Sequence, residues 1–168
     1  QIEELNARLA AIVQSSDDVI IGKTLDGIVS SWNHAAEKLF GYTEEEMIGQ
    51  SILKIIPPER VNEEYEILDK LRQGKKVEHF ETKRVSKNGK LIDISLTTSP
   101  IRDLSGNIIG ASKIAKNISL QKKTARLIHE NEERFRMAVE MTHLGTLEYN
   151  PKEVTLLCSL ETRRICGI

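Results

Sequence analysis

Apolar residues recur along this chain with two different periods, and each change of period marks a new element. Ile2, Leu5, Leu9 and Ile12 fall at 3-4-3 spacing, an a/d seam of about two heptads. So short a seam is marginal as an isolated helix. It calls for a partner helix, from a second copy or from the domain itself. Asp17-Asp18 breaks it, and Val19–Lys23 then reads as a strand. The Asp26-Gly27 turn pairs that strand with residues 28–32, because Gly tolerates positive φ. Asn33 is placed to cap a helix bearing Ala36, Leu39 and Phe40, and Gly41 is placed to end it. Helical turns over Glu44–Met47 and Ile52–Ile55 follow. Pro57-Pro58 then opens a longer helix, residues 59–73, with Ile67, Leu68 and Leu71 as its buried stripe.

Beyond Gly74 the period falls to two. Residues 77–86 and 90–99 flank Asn88-Gly89, a strong hairpin signal. Ile92, Ile94 and Leu96 alternate with Asp93, Ser95 and Thr97, so one face is wet, and Pro100 is expected to close the strand. Ser105-Gly106-Asn107 turns the chain into a last strand, residues 108–116. A charged helix runs from Ser119 to about Thr142. The order predicts an α+β domain, a five-stranded antiparallel sheet with helices on one face, flanked by amino-terminal and exit helices.

Composition narrows the function classes. The 168 residues carry 24 basic and 25 acidic groups, a net charge of −1, so no global field favours nucleic acid or an anionic membrane. No apolar run approaches the roughly 20 residues that span a bilayer. Opening at Gln1 within a helical pattern, the chain reads as a piece of something longer. Cys158 and Cys166 form no metal-binding pattern and read as reduced cytosolic thiols, which makes a cytoplasmic location the expectation. Asp17-Asp18 and Glu44-Glu45-Glu46 read as helix-start acids complementing the macrodipole. His129-Glu130 on the exit helix reads as solvated. No catalytic triad, phosphate loop or metal spacing is detectable, so no enzyme activity is expected of this chain itself.

The joints of this pattern resemble those of a PAS domain over residues 15–118. The resemblance rests on Asp26-Gly27-Ile28, Trp32-Asn33, residues 36–42 (AEKLFGY) and Glu46-Met47-Ile48-Gly49. It continues through Lys87-Asn88-Gly89, Ser99-Pro100-Ile101-Arg102-Asp103 and Gly106-Asn107-Ile108-Ile109-Gly110. It implies a sensory and dimerising input module, typically amino-terminal to a histidine kinase, cyclase or transcription regulator in the same polypeptide. The alternative is a ligand-free dimerisation module built on the Ile2, Leu5, Leu9 and Ile12 seam. At the signal exit the family commonly shows Asp-Ile-Thr, where this chain has Asn117-Ile118-Ser119. The capping oxygens survive and the charge does not, which predicts a slightly looser joint. A weak seam in the exit helix, Ile128, Phe135 and Ala138 with Asn131 between, adds to the expectation of a homodimer through helices.

A shift of 126 residues carries Arg8 onto Arg134, Val13 onto Val139 and Gly41 onto Gly167 without a gap. The domain reading is therefore an amino-terminal helix over 1–14, a PAS domain over 15–118, a signalling helix over 119–133 and the start of a second PAS domain over 134–168. That start departs from its subfamily at Leu147 and Cys158 and in its Pro151-Lys152-Glu153 turn. Too short to close a core, it is expected to leave residues 154–157 disordered, paired with another chain or docked on the first domain.

PAS cores often hold a small ligand between sheet and long helix. Strand alternation points Phe80, Thr82, Arg84, Ile92, Ile94, Leu96, Thr98 and Ser112 inward, with Tyr65 and Leu68 opposite. Arg84 stands out, because a buried guanidinium needs a carboxylate or phosphate partner. The competing expectation is a core filled by side chains, with Arg84 reaching to the rim. Haem in this family commonly takes a His on or near the long helix; residues 59–73 contain none, and His79 is expected to point outward. A light-sensing flavin adduct of the LOV type needs a Cys about where Ile52 sits. Neither cofactor is expected.

Overall fold

In the computed structural model the described residues are 1–142, 146–150 and 155–167, and they divide into two units, Gln1–Leu120 and Gln121–Ile168. In the first unit, α1 (Ile2–Gln14) precedes β1 (Val19–Lys23) and β2 (Val29–Trp32). Next come α2 (His34–Phe40), α3 (Glu44–Met47), 3-10 turns over Ile52–Ile55 and Pro58–Arg60, and α4 (Val61–Arg72). Strands β3 (Val77–Val85), β4 (Leu91–Arg102) and β5 (Ile108–Asn117) complete the sheet, and α5 (Ser119–Thr142) leaves it. The sheet is antiparallel with spatial order β2-β1-β5-β4-β3.

Local chemistry explains the joints. The Asn33 side chain accepts from Ile20 N–H (3.0 Å) and from Ala36 N–H (3.1 Å), the latter capping α2. Its amide donates to the Val13 and Asp18 carbonyls at 3.1 and 2.9 Å. One buried amide thus ties the end of α1 to the β1–β2 hairpin. Trp32 Nε1 donates to the Tyr42 carbonyl (3.0 Å) while its ring packs on Phe40, centroids 5.6 Å apart. Thr43 and Glu46 form the capping box of α3. The core lies between the sheet and the α2–α4 layer, with Ile21, Trp32, Phe40, Met47, Ile67 and Leu71 among its buried members.

Two local expectations change. Strand β4 runs on through Pro100 to Arg102, because β3 pairs with β4 only as far as Thr98, and past that point β5 is the one neighbouring strand. Asp17-Asp18 stands in the loop before β1, not at a helix start. Asn88-Gly89 lies in the β3–β4 turn as expected, where the Gly89 N–H donates to the Ser86 carbonyl (2.9 Å) and Gly89 takes φ 80°.

The second unit holds β6 (Leu147–Asn150), β7 (Thr155–Cys158) and α6 (Leu160–Cys166). Strands β6 and β7 pair antiparallel, which corrects the expectation for 155–157: those residues pair within their own chain. Gly145, the Pro151-Lys152-Glu153 turn and Val154 lie outside the described residues. Ser159 accepts from Thr146 N–H (3.0 Å) and Thr162 N–H (3.2 Å), as Asn33 does from Ile20 and Ala36. Gly167 ends α6 at φ 72°, as Gly41 ends α2 at φ 77°. Each of these positions is 126 residues from its counterpart.

Candidate ligand core and signal exit

Strand alternation carries Thr82 and Arg84 of β3, and Ile92, Ile94, Leu96 and Thr98 of β4, onto the inner face, where all six are buried. Helix α4 packs across these strands and turns Glu64, Ile67, Leu68 and Leu71 towards them. Leu68 thus lies where expected. Tyr65 does not: it is 54% exposed, because the inner stripe starts one residue earlier at Glu64. Ser112 also leaves the predicted face. Thr98 pairs directly with Lys113, opposite residues share a face, and so Ala111, Lys113 and Ala115 point in. Phe80 is half-buried beside the core, after a bulge at which His79 adopts φ 50° and stays exposed.

Two lysines in the interior were invisible to the pattern. Lys23 (1% exposed) comes from β1 and Lys113 (4%) from β5, and Glu64 (1%) of α4 bridges them, Oε1 to Lys23 and Oε2 to Lys113. Beside them Arg84 (1%) donates through Nη1 to the Lys83 carbonyl (2.7 Å), to Thr82 Oγ1 (3.1 Å) and to Glu63 (3.4 Å). It does not reach to the rim. Glu63 also receives Thr82 Oγ1 and Arg60, each at 2.5 Å. Four basic groups thus face two carboxylates. Arg84 Nη2 and Thr98 Oγ1, both buried, have no hydrogen-bond partner.

The electrostatics follow from this imbalance. Burial, then the neighbouring Lys113 and Arg84, push the Lys23 amine down to about 6. Burial and Arg84 push Lys113 down to about 7, against a hydrogen bond with Lys23. Burial also pulls Arg84 below its ordinary range, and Glu63 opposes that pull. Glu63 itself would be raised by burial, but the Thr82 and Arg60 hydrogen bonds outweigh it and hold the carboxyl below the usual range.

The exit joint is tied to the same sheet. Asp93 of β4 receives Ile118 N–H on its carbonyl (2.9 Å) and donates its own N–H to Ser119 Oγ (3.1 Å). Asn117 Oδ1 accepts Ser119 N–H at 2.9 Å. Asp93 stands between Ile92, the cross-strand partner of Arg84, and Ile94, the partner of Thr82 and Asn117. Two grooves of about 590 and 530 Å³ flank α2, and both include Asn117 in their walls.

The fold and its joints match known proteins. A family model described as the PAS fold matches residues 7–118. The chain belongs to the PAS family. The match begins within α1, earlier than the boundary at 15 read from the pattern. The chain is 30% identical over 123 residues to the signal transduction histidine-protein kinase AtoS of Escherichia coli K12, covering 72% of this chain and 19% of AtoS. It is 26% identical over 136 residues to the probable diguanylate cyclase DgcE of the same organism, covering 79% of this chain and 12% of DgcE. The chain therefore spans a fifth or less of these two relatives. A crystallised PAS domain from Colwellia psychrerythraea superposes with TM-score 0.62 at 26% identity, covering 68% of this chain and 98% of that one. As a PAS domain akin to regions of a signal transduction histidine-protein kinase and a probable diguanylate cyclase, the chain is a signal-transduction input module.

Among the described residues no group of three His, Cys, Asp or Glu could hold a metal ion, and no helix is long and apolar enough to cross a membrane. On α5, Arg126–Glu130 (2.7 Å) and His129–Glu133 (3.5 Å) are surface pairs one turn apart.

Proposed function

We propose that this PAS module senses a small molecule at the buried surface beneath α4 and passes the change through Asp93 to α5, for an output domain in the same polypeptide. The observation that carries this reading is the double tether of Asp93 to Ile118 and Ser119, one residue from the strand positions facing Arg84 and Thr82. A shift of β4 or α4 would re-aim the first turn of α5, and such a joint converts occupancy into helix orientation. The names of AtoS and DgcE support a histidine kinase or a related signalling enzyme as the output. We place the module in the cytoplasm, in keeping with two unpaired cysteines, and assign 134–168 as the start of a second PAS unit.

Inserting one residue after Ser119 in the full-length receptor tests the coupling, since it rotates everything beyond by about 100°. Stimulus-dependent output should be lost while circular dichroism of the module stays unchanged. Unaltered output would overturn the reading.

A second reading, homodimerisation through the helices, has its own observation. Ile2, Leu5, Leu9 and Ile12 are between 52% and 78% exposed, and α1 has no buried residue. An apolar stripe of that kind fits a parallel partner helix from a second copy.

A further inference from the structure

We propose that Lys23, Lys113 and Arg84 form the receptor site for a small anion bearing a carboxylate or phosphate group, which enters beside Glu64 and supplies the negative charge this core lacks. The proposal rests on the sensing reading above and deepens it by naming the ligand chemistry.

The cluster is over-supplied with cations. Lys23, Lys113 and Arg84 are buried from three different strands, and Arg60 closes in from the turn before α4. Among the described residues, Glu63 and Glu64, neighbours on α4, are the carboxylates that stand against them. Glu64 is shared by two amines, so one of them lacks a counter-charge of its own. Burying an ion without a counter-ion is unfavourable, and the interior relieves it by losing a proton or gaining an anion. A lysine can take the first route; Arg84 cannot, because its guanidinium stays protonated.

The orphaned atoms point the same way. Arg84 Nη2 is a donor with no acceptor, and Thr98 Oγ1 lies next to Lys113 across the β4–β5 pairing with no partner. An apolar ligand would leave both unsatisfied and would strand the lysines. An oxyanion satisfies a guanidinium edge and a hydroxyl together, and Arg presents a fork suited to carboxylate or phosphate. The ligand must be small, because Glu64 and the two lysines already occupy the space between α4 and the sheet. Its charge also competes with Glu63 and Glu64 for the same cations, so binding loosens the ionic hold of α4 on the sheet.

Binding is coupled to protonation, since the anion restores to a lysine the proton that burial removed. The groups facing the site are Lys23 of β1, Arg84 of β3, Lys113 of β5, Glu63 and Glu64 of α4, and Arg60. Calorimetric titration of this chain with sulfate and, separately, with succinate, at constant ionic strength in chloride, tests the proposal. Sulfate is chosen for the phosphoryl arm because it does not titrate in the range. The expected result is saturable binding of at least one probe, with uptake of a proton and an affinity falling about tenfold per pH unit above 7. Binding of sulfate alone assigns a phosphoryl ligand, and binding of succinate alone a carboxylate. The signal should vanish in Lys113→Met, which leaves Lys23 and Glu64 one to one, and in Arg84→Met. No binding beyond chloride, equal affinity in the folded variants, or wild-type binding without proton uptake overturns the proposal. The last criterion needs no variant to fold. Lack of anion binding would leave the Asp93 coupling intact with a different input, whereas an uncoupled insertion mutant bears on the coupling alone.

Discussion

Removing the Glu64 carboxylate while Lys23 and Lys113 stay in place leaves two buried amines with no counter-charge. Glu64→Gln is therefore expected to destabilise the first unit by about 3–5 kcal/mol in urea denaturation below about pH 6, where both amines are charged. Removing the whole set with shape-matched apolar residues, in Lys23→Met/Glu64→Leu/Lys113→Met, should be neutral or stabilising. The contrast between the two variants separates a paired charge from an unpaired one. The same residues set a pH dependence. Burial holds Lys23 and Lys113 down to about 6 and about 7 in the folded chain, against the ordinary lysine value of 10.5. Between roughly these values and 10.5 the unfolded chain binds more protons than the native one, so stability rises with pH across that window. The cost of burying the charged amines is fully present below about pH 6. Unfolding midpoints followed from pH 6 to 9 should climb in the wild type, and the apolar triple variant should remove that part of the slope.

At the level of elements, stability concentrates where one side chain joins several segments. Asn33→Ala removes four hydrogen bonds that link α1, the loop before β1, β1 and α2, and takes from the part-buried Ile20 N–H its acceptor. A loss of about 2–3 kcal/mol is expected by chemical denaturation, the sum of a lost cap and a stranded donor. The exit joint is held more lightly. Ser119→Ala deletes the acceptor of the Asp93 N–H and should cost about 1 kcal/mol. Amide exchange at Asp93 should quicken in that variant while the β1–β2 hairpin remains protected. The exchange of Asp-Ile-Thr for Asn117-Ile118-Ser119 keeps the joint closed, because Asn117 Oδ1 and Ser119 Oγ still accept from backbone N–H groups.

For the whole molecule, the exposed α1 seam bears on assembly. Leu5→Asp with Leu9→Asp places four charges on the seam of a parallel pair, and analytical ultracentrifugation should show a dimer of the wild type converted to monomer. A wild-type monomer at tens of micromolar would remove the dimerisation reading. In the second unit, the caps at Ser159 and Gly167 repeat those at Asn33 and Gly41, which supports the assignment of 134–168 as a second PAS beginning.

The order of elements, the caps, the hairpin turns and the inner phase of β3 and β4 were all legible in the sequence. They depend on contacts between residues near one another along the chain, where period and turn chemistry act directly. Arg84 and Thr98 were legible for the same reason, as members of an alternating strand. Ser112 was misassigned because the face of β5 depends on its register against β4 and β1, and two strands joined by a turn do not reveal which of two phases they take. Lys23 and Lys113 were missed because lysine at a strand position ordinarily signals solvent. Only the tertiary structure brings β1, β5 and α4 together, with Glu64 as the shared partner that makes those positions tolerable. The sequence alone determined a PAS core with an exit helix, since local pattern suffices for that. The charge inside the core is decided by long-range pairing, where a buried cation is stable only beside an anion from elsewhere in the chain.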